Sequence, residues 1–73
     1  MERKLLAPLS GVVIQLNIKE GDVVSEDDHA LVMEAMKMKN PIFIPCNGTI
    51  KEIRVKEGDT VEEEDVLVII DPE

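Results

Sequence analysis

The sequence repeats itself after 37 residues. Residues 7–13, Ala-Pro-Leu-Ser-Gly-Val-Val, align with residues 44–50, Ile-Pro-Cys-Asn-Gly-Thr-Ile. Residues 19–24, Lys-Glu-Gly-Asp-Val-Val, align in the same frame with residues 56–61, Lys-Glu-Gly-Asp-Thr-Val. Self-similarity at one fixed period is typical of folds built from equivalent units. We therefore expect a tandem duplication in which the two halves share one conformation.

The length of the chain limits what such a duplication can form. With halves at about 5–34 and 42–71, the 73 residues are enough for one small domain, which we expect to span 1–73. They are too few for a catalytic cleft with its own supporting core. The chain is therefore expected to be a non-catalytic carrier or binding module.

Turn signals and alternating hydrophobicity predict strands in both halves. Apolar and polar residues alternate over residues 13–18 and again over 50–55, although the phase slips in places. Each alternating segment begins after Pro-x-x-Gly and is followed by Gly-Asp, a pair typical of turns. A half-buried antiparallel sheet fits this pattern best. Turn geometry is the expected role of four glycines: Gly11, Gly21, Gly48 and Gly58.

One segment taken alone predicts a helix. Residues 26–39 are rich in Glu, Ala, Leu, Met and Lys, which are good helix formers. The equivalent apolar run in the second half, residues 66–70, is the short and β-branched Val-Leu-Val-Ile-Ile. Because equivalent segments should share a conformation, we predict a strand over residues 30–35.

The expected fold is all-β. Phe43 is the only aromatic residue, so the core has to consist of Val, Ile, Leu and Met. Neither half buries an apolar face alone, and we expect the two to pack face to face around one aliphatic core. This predicts a flattened β-barrel or sandwich, a barrel-sandwich hybrid of two four-stranded antiparallel sheets with pseudo-twofold symmetry.

Composition excludes several classes of partner and site. A net charge of −8 argues against nucleic acid and anionic membranes, which require a basic surface. No apolar run approaches the roughly 18 residues of a membrane helix, so we expect no membrane insertion and a soluble, cytoplasmic chain. Cys46 is alone and is expected to fill an apolar position, and His29 has no second ligand to form a metal site.

The junction between the halves carries the most specific motif. Glu-Ala-Met-Lys-Met occupies residues 34–38, preceded by Gly-Asp-Val-Val at 21–24 and followed by Asn-Gly-Thr-Ile at 47–50. No Asp or Glu occurs between Ala35 and Lys51, so this stretch is locally basic. From about Leu5 to Ile70 the chain resembles the biotinyl domains of biotin-dependent carboxylases and decarboxylases.

The resemblance implies a carrier function centred on one lysine. Lys37 would be joined to biotin through an amide bond by a biotin protein ligase, at the tip of an exposed hairpin. The biotin would then carry a carboxyl group between biotin carboxylase and carboxyltransferase sites of a multi-component enzyme. The recognition motif around the lysine would consist of Glu34, Ala35, Met36 and Met38.

Other details of the resemblance concern local structure. No room exists between Gly11 and Gly21 for the protruding thumb of some acetyl-CoA carboxylase carriers, so the thumbless type is implied. Asp27 and Glu64 stand where these domains often have Gly, and Ala30 stands where Leu is frequent. These departures concern turn geometry and packing.

Two other functions remain open from the sequence. Lipoyl domains are similar in fold and also display a hairpin lysine, and they commonly share the acidic residue at Glu34. Their lysine usually stands between Asp and Ala, so Met36 and Met38 favour biotin. An unmodified adaptor, with Lys37 as an ordinary turn residue, is the third reading.

Overall fold

Eight β-strands form the regular structure of residues 2–73, the part of the chain that the computed structural model describes. In chain order they are β1 Arg3–Leu6, β2 Gly11–Leu16, β3 Val23–Val24, β4 His29–Ala35, β5 Met38–Phe43, β6 Gly48–Ile53, β7 Thr60–Val61 and β8 Val66–Pro72. The segment rich in helix formers lies in β4 and the hairpin that follows it, as the repeat predicted. Over residues 2–73 no helix is long and apolar enough to cross a membrane.

The strands form two four-stranded antiparallel sheets. The strand order is β1-β8-β6-β3 in one sheet and β5-β4-β2-β7 in the other. Replacing each strand by its equivalent in the other half converts the first order into the second. The predicted fold class, an all-β sandwich or flattened barrel with pseudo-twofold symmetry, is therefore confirmed.

The composition of each sheet differs from the expectation. Each sheet takes two strands from each half, so the prediction that one half packs face to face on the other is wrong. The two-residue strands β3 and β7 pair with β6 and β2 of the opposite half. A strand that short is stable only beside a longer neighbour, so exchange between halves satisfies its backbone groups.

Equivalent β-bulges explain where the alternation slips. The register of β2 against β4 shifts between Val13 and Gln15, and that of β6 against β8 shifts between Ile50 and Glu52. These two positions are 37 residues apart in the sequence. At the first bulge, Ile14 and Gln15 are both exposed, so one extra residue reverses the phase of the strand.

The core is aliphatic, as the composition predicted. No polar or charged side chain within residues 2–73 is buried. Six of the eight largest fully buried side chains form three pairs of positions 37 residues apart, so both halves contribute equivalent positions to one interior. The largest fully buried side chains are Val13, Leu31, Met33, Ile44, Ile50, Leu67, Val68 and Ile70.

Four turns share one hydrogen-bonding pattern. In each, the Asp at the fourth position donates its backbone N–H to the carbonyl of the first residue, and its carboxylate accepts the N–H of that residue. The third residue has φ between 72° and 95°. A positive φ there is the signature of a type II turn. The turns span residues 19–22, 25–28, 56–59 and 62–65.

Candidate functional site: the β4–β5 hairpin

The hairpin between β4 and β5 is closed by a two-residue turn, Met36 and Lys37. Ala35 and Met38 form the last cross-strand pair before the turn. Met36 has φ 53° and Lys37 has φ 64°. Two successive residues with positive φ define the type I′ turn, whose twist matches that of the flanking strands.

This turn geometry was not predicted from the sequence. Type I′ turns strongly favour Asn-Gly, and neither residue occurs at positions 36 and 37. Left-handed backbone costs a residue with a side chain about 1–2 kcal/mol. The pairing of β4 with β5 on both sides of the turn holds the two residues in this strained conformation.

The side chains at the tip are almost fully free. Lys37 is exposed, and within residues 2–73 it takes part in no ion pair or side-chain hydrogen bond. Met36 is 92% exposed and Met38 is 66% exposed. The hairpin therefore presents a primary amine between two flexible thioethers, and within residues 2–73 no ion pair or side-chain hydrogen bond of Lys37 has to break before another protein binds it.

The two motif residues before the turn lie on opposite faces of β4. Ala35 is buried at 7% exposure and faces the core, whereas Glu34 is exposed. Glu34 is paired in register with Lys39 of β5. Of the two lysines near the tip, Lys39 thus belongs to the paired strands and Lys37 lies beyond them.

Gly11 is a site residue whose role sequence reasoning misjudged. Gly11 is the first residue of β2 and has no positive φ, so the predicted turn role is wrong for it. The same holds for Gly48, which is the first residue of β6. A Cβ at Gly11 would lie 2.5 Å from the carbonyl oxygen of Glu34 and 3.2 Å from Ala35 Cβ. Gly21 and Gly58 do occupy turns, with φ of 92° and 95°.

The two best-formed clefts in residues 2–73 are not lined by residues of the hairpin. These open clefts, of about 400 and 420 Å³, are lined by residues of β6, β7 and β8, by the loop 54–59 and by Asp65. His29 is exposed and stacks edge-on against Phe43, with ring centroids 4.8 Å apart. No group of three metal-ligating side chains occurs in the described residues 2–73. Because Lys37 is exposed, a group attached to its amine would project into solvent.

Cys46 also lies where the sequence predicted. It is a free, half-buried thiol that packs against the aliphatic core. A lone cysteine in such a position behaves as a small apolar side chain.

Residues 3–70 match the protein family described as "Biotin-requiring enzyme". The chain belongs to this family. The recognition of a biotinyl carrier domain from the residues around Lys37 is confirmed, and so is biotin as the family's cofactor.

Relatives in the biotin-requiring family are parts of acyl-CoA enzymes. The alpha chain of mitochondrial propionyl-CoA carboxylase from Caenorhabditis elegans is 47% identical over 38 residues, 52% of this chain and 5% of that protein. The 1.3S subunit of methylmalonyl-CoA carboxyltransferase from Propionibacterium freudenreichii is 47% identical over 38 residues, 52% of this chain and 31% of that subunit. The chain thus spans less than a third of either relative.

A solved structure shows the same fold over nearly the whole chain. A single-chain, multi-domain long-chain acyl-CoA carboxylase superposes with a TM-score of 0.92 at 28% identity, covering 99% of this chain and 7% of that one. The match places this chain with the non-catalytic carrier components of biotin-requiring enzymes. The free amine at an exposed tip fits a covalently attached biotin.

Proposed function

We propose that residues 1–73 act as one biotin carboxyl carrier domain and that Lys37 is the residue that receives biotin. The observation that carries this proposal is the position of the amine. Lys37 is exposed at the second of the two central positions of a type I′ turn and has no ion-pair or side-chain hydrogen-bond partner within residues 2–73. The strands on both sides keep that turn rigid, which is what a modifying enzyme needs in its substrate.

The proposed modification is an acyl transfer. The Lys37 amine attacks the acyl carbon of biotinyl-adenylate, the bond from that carbon to the phosphate oxygen breaks, and AMP leaves as an amide forms. The nitrogen gives up a proton as the amide forms, so the ligase has to provide a group that accepts it. Lys37 is therefore an acceptor and contributes no catalysis.

The residues around Lys37 would serve recognition. Met36 and Met38 offer two exposed and adaptable thioether side chains, which suit contact with more than one partner. Glu34 adds an exposed carboxylate on the outer face of β4, and Ala35 anchors the base of the turn in the core. We assign Glu34, Met36 and Met38 to the surface that a biotin protein ligase contacts, and Ala35 to the buried support of the turn beneath that surface.

The partners beyond the ligase follow from the same proposal. Biotin, when attached, can hold a carboxyl group on its ureido nitrogen. Lys37 and its hairpin would carry that group from a biotin carboxylase to a carboxyltransferase in the cytoplasm, as part of a multi-component carboxylase or decarboxylase. Tethering keeps the carboxyl group at a high effective concentration near both sites.

Intact-mass measurement tests the assignment. The chain, incubated with biotin, ATP and a biotin protein ligase, is expected to gain the mass of one biotin. Lys37→Arg and Lys37→Ala should abolish the gain, whereas Lys39→Arg, two residues along the same hairpin, should retain it. Labelling at Lys39 in the Lys37→Arg variant would overturn the site. No gain in any form would support an unmodified adaptor.

A further inference from the structure

Gly11 contacts the base of the hairpin where no side chain fits. It is the first residue of β2, and the carbonyl oxygen of Glu34 and the Cβ of Ala35 lie against the position that its own Cβ would occupy. Real Cβ atoms essentially never lie closer than 3.0 Å to such an atom, and the oxygen would be at 2.5 Å. Because that oxygen belongs to the backbone, it moves only if the strand moves.

The strand that would move leads directly to Lys37. Glu34 and Ala35 are the last two residues of β4, and Met36 and Lys37 follow them in the turn. We propose that Gly11 is a positioning residue for biotin transfer: by letting β2 approach β4, it fixes where the hairpin presents the Lys37 amine. This inference rests on the proposed function of Lys37.

The backbone of Gly11 does not itself require glycine. Its φ lies outside the positive region, in contrast to Gly21 and Gly58. The need for glycine is therefore one of space between two strands, and alanine at position 11 would act on the neighbouring hairpin and not on the conformation of residue 11.

The duplication supplies a matched control. Gly48, 37 residues later, has the same relation to the end of β8, since a Cβ there would collide with the carbonyl oxygen of Asp71 and lie 2.9 Å from Pro72 Cα. Gly11→Ala and Gly48→Ala thus introduce the same clash at equivalent places. Only the first lies beside the lysine.

Steady-state kinetics of biotinylation, measured with the carrier chain as the varied substrate, distinguish an effect on the position of Lys37 from an effect on the stability of the chain. We expect Gly11→Ala to lower kcat by about 10- to 100-fold, the range expected from an acceptor displaced by an ångström or so. Gly48→Ala should stay within about 2-fold of the parent kcat, well short of that effect. Simple loss of folded protein would instead raise the apparent KM and leave kcat unchanged.

Both variants are best made in a parent that carries Asp27→Gly and Glu64→Gly. Glycine adopts the positive φ of these two turn positions without a side-chain penalty, and the added stability keeps each variant folded. Amide chemical shifts then give a second readout: Gly11→Ala should perturb residues 34–38, and Gly48→Ala should leave them in place. An unchanged kcat for Gly11→Ala, or equal losses in both variants, would overturn the positioning role. If the parent chain is not biotinylated at all, the proposed function fails instead.

Discussion

Glu34 lies directly opposite Lys39 in the β4–β5 ladder, one pair before the last pair of the hairpin, Ala35 and Met38. Lys39 is thus tied to a strand by its backbone, while Lys37 stands beyond the final pair. Under the proposed function, this difference would let a ligase distinguish two lysines that are separated by one residue. Position in the ladder, and not charge, sets Lys37 apart.

Lys39→Ala should therefore have little effect. We expect the yield of singly biotinylated chain to match that of the parent, and the free energy of unfolding to change by less than about 0.5 kcal/mol, because an exposed side chain away from special geometry contributes little. Intact mass and urea denaturation measure the two quantities. A large loss of labelling would mean that Lys39 contacts the ligase.

Asp27 and Glu64 occupy the third positions of two type II turns, with φ of 73° and 72°. Asp27→Gly and Glu64→Gly should each raise the free energy of unfolding by about 0.5–1 kcal/mol, because glycine adopts this φ without a side-chain penalty. For a domain of this size that corresponds to roughly 2–8 °C in Tm. Glu63→Gly, at a neighbouring position without positive φ, is the control and should lower Tm.

The aspartates of the four turns should act as hydrogen-bond acceptors. Asp22→Ala is expected to lower the free energy of unfolding by about 0.5–1.5 kcal/mol through loss of the bond from the Lys19 N–H, 2.9 Å long. Asp59→Ala, the equivalent change beside Lys56, should cost about as much. Asp22→Asn keeps an acceptor oxygen and should retain most of the stability. If Asp22→Asn lowered the free energy of unfolding as much as Asp22→Ala, the contribution of Asp22 to stability would come from its charge.

The exposed pair of Glu2 and Lys51 predicts a pH dependence. The hydrogen bond and charge of Lys51 hold the pKa of the Glu2 carboxyl below its ordinary value of 4.5, and Glu2 likewise raises the pKa of Lys51 above 10.5. Because the pKa of Glu2 is lowered, its ionised carboxylate stabilises the fold above pH 4.5. That stabilisation is lost as the pH falls through the pKa that Glu2 has in the folded chain. Because the pKa of Lys51 is raised, its ammonium group stabilises the fold below pH 10.5. That stabilisation is lost as the pH rises through the pKa that Lys51 has in the folded chain.

An NMR titration of the Glu2 carboxyl measures this effect. Lys51→Ala should return the pKa of Glu2 toward 4.5, whereas Lys56→Ala should leave it lowered. Because both partners are at the surface, added salt should weaken the shift. A Glu2 pKa that does not respond to Lys51→Ala would show that the pair does not persist in solution.

The exposure of the methionines predicts their order of oxidation. Peroxide should convert Met36, 92% exposed, and Met38, 66% exposed, to sulfoxides well before Met33, which is fully buried. Peptide mapping by mass spectrometry after a short exposure gives the order. In concentrated urea the three should react at similar rates, and fast oxidation of Met33 in the folded chain would contradict the burial.

Local propensity was a poor guide at the hairpin, and the repeat was a good one. Helix formers fill residues 26–39, yet Leu31 and Met33 are fully buried in β4. Their equivalents, Val68 and Ile70, are buried in β8. Burial in a shared aliphatic core outweighs helix propensities of less than about 1 kcal/mol per residue.

The sequence by itself determined the eight-stranded duplication, the aliphatic core and the junction that holds Lys37. The repeat, the composition and the turn residues follow directly from the order of residues along the chain. Only the tertiary structure decided the exchange of strands between halves, the left-handed backbone of Met36 and Lys37, and the approach of Gly11 to Glu34. These features depend on which strands become neighbours. That choice is made by backbone pairing and close packing across the whole fold, and 37-residue periodicity is compatible with more than one arrangement.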